Sequence, residues 1–140
     1  MATFNKFNCT VADVCNHIHN FGSDTLKILL TNTAPVATNA VKADLTEISA
    51  GNGYTAGGNA AALTSSTQAS GLYKLILANP ATWTAAGGSI GPFRYAALYN
   101  STAAAGNLVG YWDYGSAVTL ASGETFTVTL DASAGVLQLT

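Results

Sequence analysis

Charge is what this chain has least of. Of its 140 residues, five are Lys or Arg and seven are Asp or Glu, so 9% are charged, against roughly 25% in an average soluble domain. The basic residues are scattered from Lys6 to Arg94 and the net charge is -2. No cationic stripe exists to track a phosphate backbone, which excludes a nucleic-acid binder. Long apolar runs are also missing: Leu26 to Leu30 and Leu75 to Ala78 fall far short of the ~20 residues that span a bilayer as a helix, so no membrane partner is expected. The start, MATFNKFNCT, lacks a basic segment followed by an apolar one, and synthesis in a cytoplasm is expected. With only Cys9 and Cys15 present, no disulfide framework is available, and both thiols should stay reduced. Histidine is limited to His17 and His19, and no Gly-x-Ser-x-Gly elbow occurs, so nucleophilic catalysis has almost nothing to work with and no enzyme is expected.

What is present is apolar and small-polar. The hydrophobic fraction is 49% and the mean hydropathy +0.27, with Ala, Thr, Ser, Asn and Gly supplying most of the rest. Disorder is excluded by that hydrophobicity. One domain over 1–140 is expected, since no linker, repeat or charged tail interrupts the chain.

Phe4, Phe7, Val11, Val14 and Ile18 recur at steps of three and four, which predicts an amphipathic helix over 4–19 stopped by Asn20 and Gly22. From 25 to 140 the period is that of strands. Strands are predicted at Leu26–Thr31, Val41–Ile48, Ala60–Ser66, Leu72–Ala78, Ala81–Ala85, Phe93–Tyr99, Leu108–Trp112, Ala117–Leu120, Thr125–Leu130 and Val136–Leu139. Turn residues punctuate them, with Ser70-Gly71 joining the third and fourth. The alternation is cleanest at 125–130, where Phe126, Val128 and Leu130 should point inward and the threonines outward. Such a series predicts an all-β fold, a sandwich or barrel of eight to ten short strands, with a short N-terminal helix.

Four residues with metal-ligand chemistry, Cys9, Cys15, His17 and His19, lie within eleven positions. On one helix only Cys15 and His19 share a face, so the spacing opposes a tetrahedral site, and two structural thiols with two polar-face histidines are expected. Asp44 and Glu47 form the nearest carboxylate pair and read as a solvated edge. Asp113 stands between Trp112 and Tyr114, where the flanking aromatics admit a sugar-binding reading beside that of a strand end. The stretch Gly51-Asn52-Gly53-Tyr54-Thr55-Ala56-Gly57-Gly58 lacks the Lys-Ser/Thr of a phosphate loop, and no helix signal follows it. It reads as a long loop with φ > 0 or close packing, as does Gly87-Gly88-Ser89-Ile90-Gly91-Pro92. No metal, cofactor or catalytic residue is expected. A surface of small neutral groups desolvates cheaply and responds little to salt, which suits static contact in a large assembly.

The order and spacing of several segments resemble a group of small virion proteins of tailed bacteriophages. These are Phe4-Asn5-Lys6-Phe7; His19 to Thr25 continuing to Leu29 to Pro35; Leu45-Thr46-Glu47-Ile48 with Gly51 to Tyr54; Gly91 to Tyr95 through Leu98-Tyr99-Asn100; and Gly110 to Gly115 with Gly123 to Phe126. The resemblance implies a capsid cement, or decoration, protein. Such a protein is a jelly-roll sandwich bound as a homodimer to the outer surface of the phage head, where it contacts the major capsid protein and bridges neighbouring capsomers. Within that reading, the expected capsid contacts are the loops with Gly51, Asn52, Gly53, Tyr54, Gly57, Gly58, Gly87, Gly88, Ser89 and Ile90. The stripe Phe4, Phe7, Val11 and Val14 is expected to pack in the core or to serve dimerisation, with a sheet edge as the other dimer candidate. Deleting Gly53 to Gly57 is expected to abolish capsid binding and leave the β-structure intact. The alternative is a tail-fibre or lectin-like module stacking sugar on Tyr111, Trp112 and Tyr114.

Overall fold

The computed structural model describes residues 2–140. Ten strands follow in chain order: β1 Phe4–Lys6, β2 Leu26–Thr31, β3 Asn59–Ala61, β4 Leu63–Ala69, β5 Leu72–Leu77, β6 Trp83–Thr84, β7 Ile90–Asn100, β8 Leu108–Leu120, β9 Thr125–Phe126 and β10 Leu137–Leu139. The helix α1, Cys9–Cys15, lies between β1 and β2, and a 3-10 turn spans Lys42–Asp44. A five-stranded sheet runs β1-β8-β7-β2-β3, a three-stranded sheet β10-β5-β4, and a pair β6-β9 completes the second layer; all pairings are antiparallel. The all-β sandwich expected from the sequence is the architecture found.

The main core fills the space between the layers. Leu26, Ile28 and Leu30 of β2 and Phe93, Ala96 and Leu98 of β7 meet Leu75, Leu77, Trp83, Val136 and Leu137 from the opposite layer. The intervening residues Leu29, Ala97, Tyr99 and Leu108 point to the other face, where they pack with Phe7 under α1 and the 40s loop. The central strands are therefore covered on both sides, which is why Ile28, Leu29 and Leu30 are consecutively apolar rather than alternating.

The N-terminal helix is shorter than its periodicity predicts. Phe4, Asn5 and Lys6 pair instead with Trp112, Tyr111 and Gly110 of β8, and Gly110 has no side chain where the Phe4 ring lies. Helix α1 begins only at Cys9, and His17, at φ 61°, ends it in the left-handed region. The stripe Phe4, Phe7, Val11, Val14 is consequently not one surface. Phe7 is wholly buried in the second cluster, Phe4 and Val14 pack at the margin of the main core, and only Val11 is exposed. Phe4, Phe7 and Val14 thus take the packing role expected of the stripe and do not form one dimer face with Val11.

Other boundaries shift for local reasons. The strand predicted at Val41–Ile48 is reduced to two bridges, Val41 to Asn107 and Glu47 to Thr31, because the Asp44 carboxylate accepts the Ala40 and Val41 amides and closes a tight turn. The Ala60–Ser66 strand is two strands, β3 and β4, with the chain passing from one sheet to the other at Ala62. Leu108–Trp112 and Ala117–Leu120 form one strand that continues through a register shift opposite β7. At 125–130 only Thr125–Phe126 is strand. Val128 and Leu130 are still buried and the threonines exposed, with side chains replacing ladder bonds: Asn79 Oδ1 accepts the Leu130 amide at 2.8 Å, and Thr82 and Thr127 hydroxyls meet at 2.7 Å.

Candidate functional site

The two glycine-rich loops, 36 positions apart in sequence at their starts, are neighbours in space. The Asn52 amide donates to the Ser89 carbonyl at 3.0 Å, and the Ala86 amide donates to the Asn52 carbonyl at 2.9 Å. Contact this close requires missing side chains. A Cβ on Gly53 would fall on the Thr84 carbonyl, and one on Gly88 would meet the Asn52 side chain. Gly51, Asn52 and Gly53 together with Gly87 and Ser89 thus form one exposed face made mostly of backbone.

Four of the ten predicted contact residues do not reach that face. Tyr54 is 2% exposed and Ile90 also 2%, both within the main core, and Gly57 and Gly58 are buried against the sheet. These residues hold the loop down. The Tyr54 hydroxyl donates to Glu47 Oε1 at 2.7 Å and accepts the Leu30 amide at 3.1 Å, supplying β2 with a partner where β3 has ended. Glu47 also accepts the Gly57 amide and pairs with Lys42 at 3.2 Å, while the Tyr99 hydroxyl donates to the Gly57 carbonyl at 2.8 Å. Burial pushes the Tyr54 phenol well above its ordinary value, so it remains a donor. Glu47 is therefore a half-buried anchor rather than part of a solvated edge, and its neighbour Asp44 is occupied with capping.

The loops share a feature that hydropathy does not reveal. Between Ile48 and Phe93 the only charged residue is Lys74. That stretch contains both glycine-rich loops and β3 to β6, and charges approach the loops from other segments, through the Lys42–Glu47 pair at Gly57 and through Glu124, whose carbonyl accepts the Ala85 amide. Counting charges by position in the sequence would have located this stretch.

A second concavity, of about 190 Å³, lies beside β8 and is lined by Trp112, Tyr114, Phe126, Arg94, Thr127 and Thr129 among others. Tyr114 is 59% exposed and stands edge-on to Phe126. At its rim Arg94 makes a two-pronged bond to Asp113, at 2.7 and 2.8 Å. The Arg94 guanidinium holds the Asp113 carboxyl below the usual carboxylate range. Tyr111, grouped with these aromatics in the sequence, belongs to the opposite face, 5.2 Å from Phe7.

The thiols and imidazoles separate. Cys15 and His17 are exposed, Cys9 is half-buried with its Sγ near the Leu108, Asn39 and Ala40 carbonyls, and both cysteines are free. Among the described residues, no group of three or more His, Cys, Asp or Glu is placed to hold a metal ion. His19, expected on a polar face, is buried. Its Nδ1 lies 3.2 Å from the Asn100 amide nitrogen, which also donates to Asp24 Oδ2, so the ring proton is assigned to Nε2, 3.7 Å from Asp13 Oδ2.

Burial lowers the His19 pKa below its ordinary value, and the facing Asp13 and Asp24 only partly oppose this. A depressed native pKa means that the unfolded chain binds the proton more readily. The stabilising contribution is present above about pH 6.5 and lost as the pH falls through the native value. Urea midpoints should therefore decline between about pH 7.5 and 5.5, and His19→Gln should flatten that decline. An unchanged slope in the variant would contradict the assignment.

No protein-family model, curated protein or solved structure matches this chain.

Proposed function

We propose that this chain is a structural virion protein, a capsid decoration protein that binds the outside of a tailed-phage head as a homodimer and bridges neighbouring capsomers. The observation that carries the reading is the face, without charged side chains of its own, that two glycine-rich loops form by hydrogen-bonding to each other, anchored from beneath by Tyr54, Glu47 and Tyr99. Such a face presents backbone donors and acceptors without long side chains to immobilise, and holds no charge to desolvate. Preorganisation of this kind favours a permanent contact rather than turnover.

The mechanism is thermodynamic. A protein that binds the assembled shell and not the separated capsomers stabilises the shell by its binding free energy. Two sites joined in one dimer raise the effective concentration at each, so modest contacts become hard to release. Because the face is neutral, binding should change little with ionic strength. Mixing the purified chain with undecorated heads and sedimenting them tests the reading: saturable co-sedimentation that persists in high salt supports it, and a soluble chain refutes it.

One observation favours a second reading. The groove beside Trp112 and Tyr114 combines aromatic faces with the Arg94–Asp113 pair, which offers both donors and acceptors to a sugar's hydroxyls. Under this reading a glycan array gives selective retention, and Trp112→Ala removes it while the far-UV circular dichroism is unchanged. Absence of retention by the unmodified chain rejects a lectin function.

A further inference from the structure

Of the terminal strands of the two larger sheets, β4 leaves the longest edge open. It is terminal in its sheet and seven residues long, whereas β1, β3 and β10, the other terminal strands of the two larger sheets, have three each. Proteins usually protect such an edge with lysine, proline, an inward charge or a covering element. β4 reads Leu-Thr-Ser-Ser-Thr-Gln-Ala, with neither charge nor proline; a register shift opposite β5 at Leu63 to Ser65 is its one irregularity and leaves Ser65 to Ala69 regular, and its residues are exposed or half-buried throughout.

The direction of its backbone groups follows from the turn. Ser70 and Gly71, at φ 52° and 81°, form a two-residue connection of the type that closes on a hydrogen-bonded pair, Ala69 with Leu72. Counting back by twos, Thr67 and Ser65 face β5, and Ser66 and Gln68 turn their N–H and C=O outward. The other side of the sheet agrees: Leu75, opposite Ser66, uses its carbonyl to accept the Val136 amide next to β10.

We infer that β4 pairs antiparallel with β4 of a second copy of this chain, about a two-fold axis at Ser66. Ser66 is the middle of the seven residues and has outward-facing backbone groups, so this register gives the greatest overlap and pairs Ser66 with its own counterpart. It places Ser65 beside the copy's Thr67 and Thr64 beside its Gln68. Hydroxyl and amide groups meet, and no like charges oppose one another. The three-stranded sheet becomes six-stranded across the dimer. This specifies the self-pairing within the decoration reading and rests on that reading for its purpose, though its geometry is that of the isolated chain.

The test uses the purified full chain. Sedimentation equilibrium should find a dimer; Gln68→Pro, which removes one outward donor, should be monomeric with unchanged far-UV circular dichroism, and Gln68→Ala, which keeps it, should remain dimeric. Amide exchange in the unmodified dimer requires no variant to fold: the Ser66 and Gln68 amides should exchange at least about 100-fold more slowly than on an unpaired edge. A monomeric chain, a dimer in which those two amides exchange freely, or a folded Gln68→Pro variant that still dimerises would overturn the inference. A β4 dimer that fails to bind phage heads would leave the inference standing and reject the decoration reading instead.

Discussion

Replacing Tyr54 with alanine should lower the stability of the fold by about 3–5 kcal/mol, the usual range for deleting a fully buried aromatic side chain. For a chain of this length, that corresponds to a fall of about 10–15 °C in melting temperature. The residue sits in a loop of glycines that reads as a surface feature, yet its ring is 2% exposed and part of the main core. Its hydroxyl also joins the β2 backbone at Leu30 to the Glu47 carboxylate. Tyr54→Phe separates the two contributions. The ring stays, the buried Leu30 amide and the Glu47 oxygen lose a partner, and the expected cost is about 1–3 kcal/mol. Thermal unfolding followed by circular dichroism measures both; a Tyr54→Ala variant as stable as the unmodified chain would contradict the anchoring role. The same geometry corrects the expectation that Gly53 to Gly57 can be deleted without harm. That deletion removes a core residue and its hydrogen bonds, so loss of binding would report unfolding.

A substitution on the exposed face avoids this difficulty. Ser89→Arg should weaken binding to undecorated heads by about 100-fold, because a guanidinium brought into an uncharged contact must be desolvated without a partner, at a cost of about 3 kcal/mol. The fold should tolerate it. Ser89 is exposed, and its link to Asn52 uses the backbone carbonyl rather than the side chain, so the melting temperature should move by less than about 2 °C. Equal binding by Ser89→Arg and the unmodified chain would remove the loop face from the contact.

The layered β-architecture was legible in the sequence because burial on one or both faces leaves a periodic trace. Leu26, Ile28 and Leu30, and Val128 and Leu130, are buried as their spacing predicts, even where the latter segment forms few ladder bonds. The N-terminal segment was misread because two different burials imitate one helix: Phe4 is held by β8 and Phe7 by the second cluster. Steps of three and four do not record which partner each residue finds. Asp44 shows the same limit, since a capping carboxylate and a solvated one are identical in sequence. At the candidate site, the glycines marked both loops, but their mutual contact depends on Asn52 reaching Ser89 across the fold. The inward turn of Tyr54 depends on an amide at Leu30 left open by the short β3. Neither has a local signature.

The central claim is that this chain coats a phage head throughout. Its most direct test is the copy number of the chain in purified virions of the phage that encodes it, by quantitative mass spectrometry against the major capsid protein. The account predicts an abundance comparable to that of the capsid protein. A handful of copies per particle, or none, would contradict it.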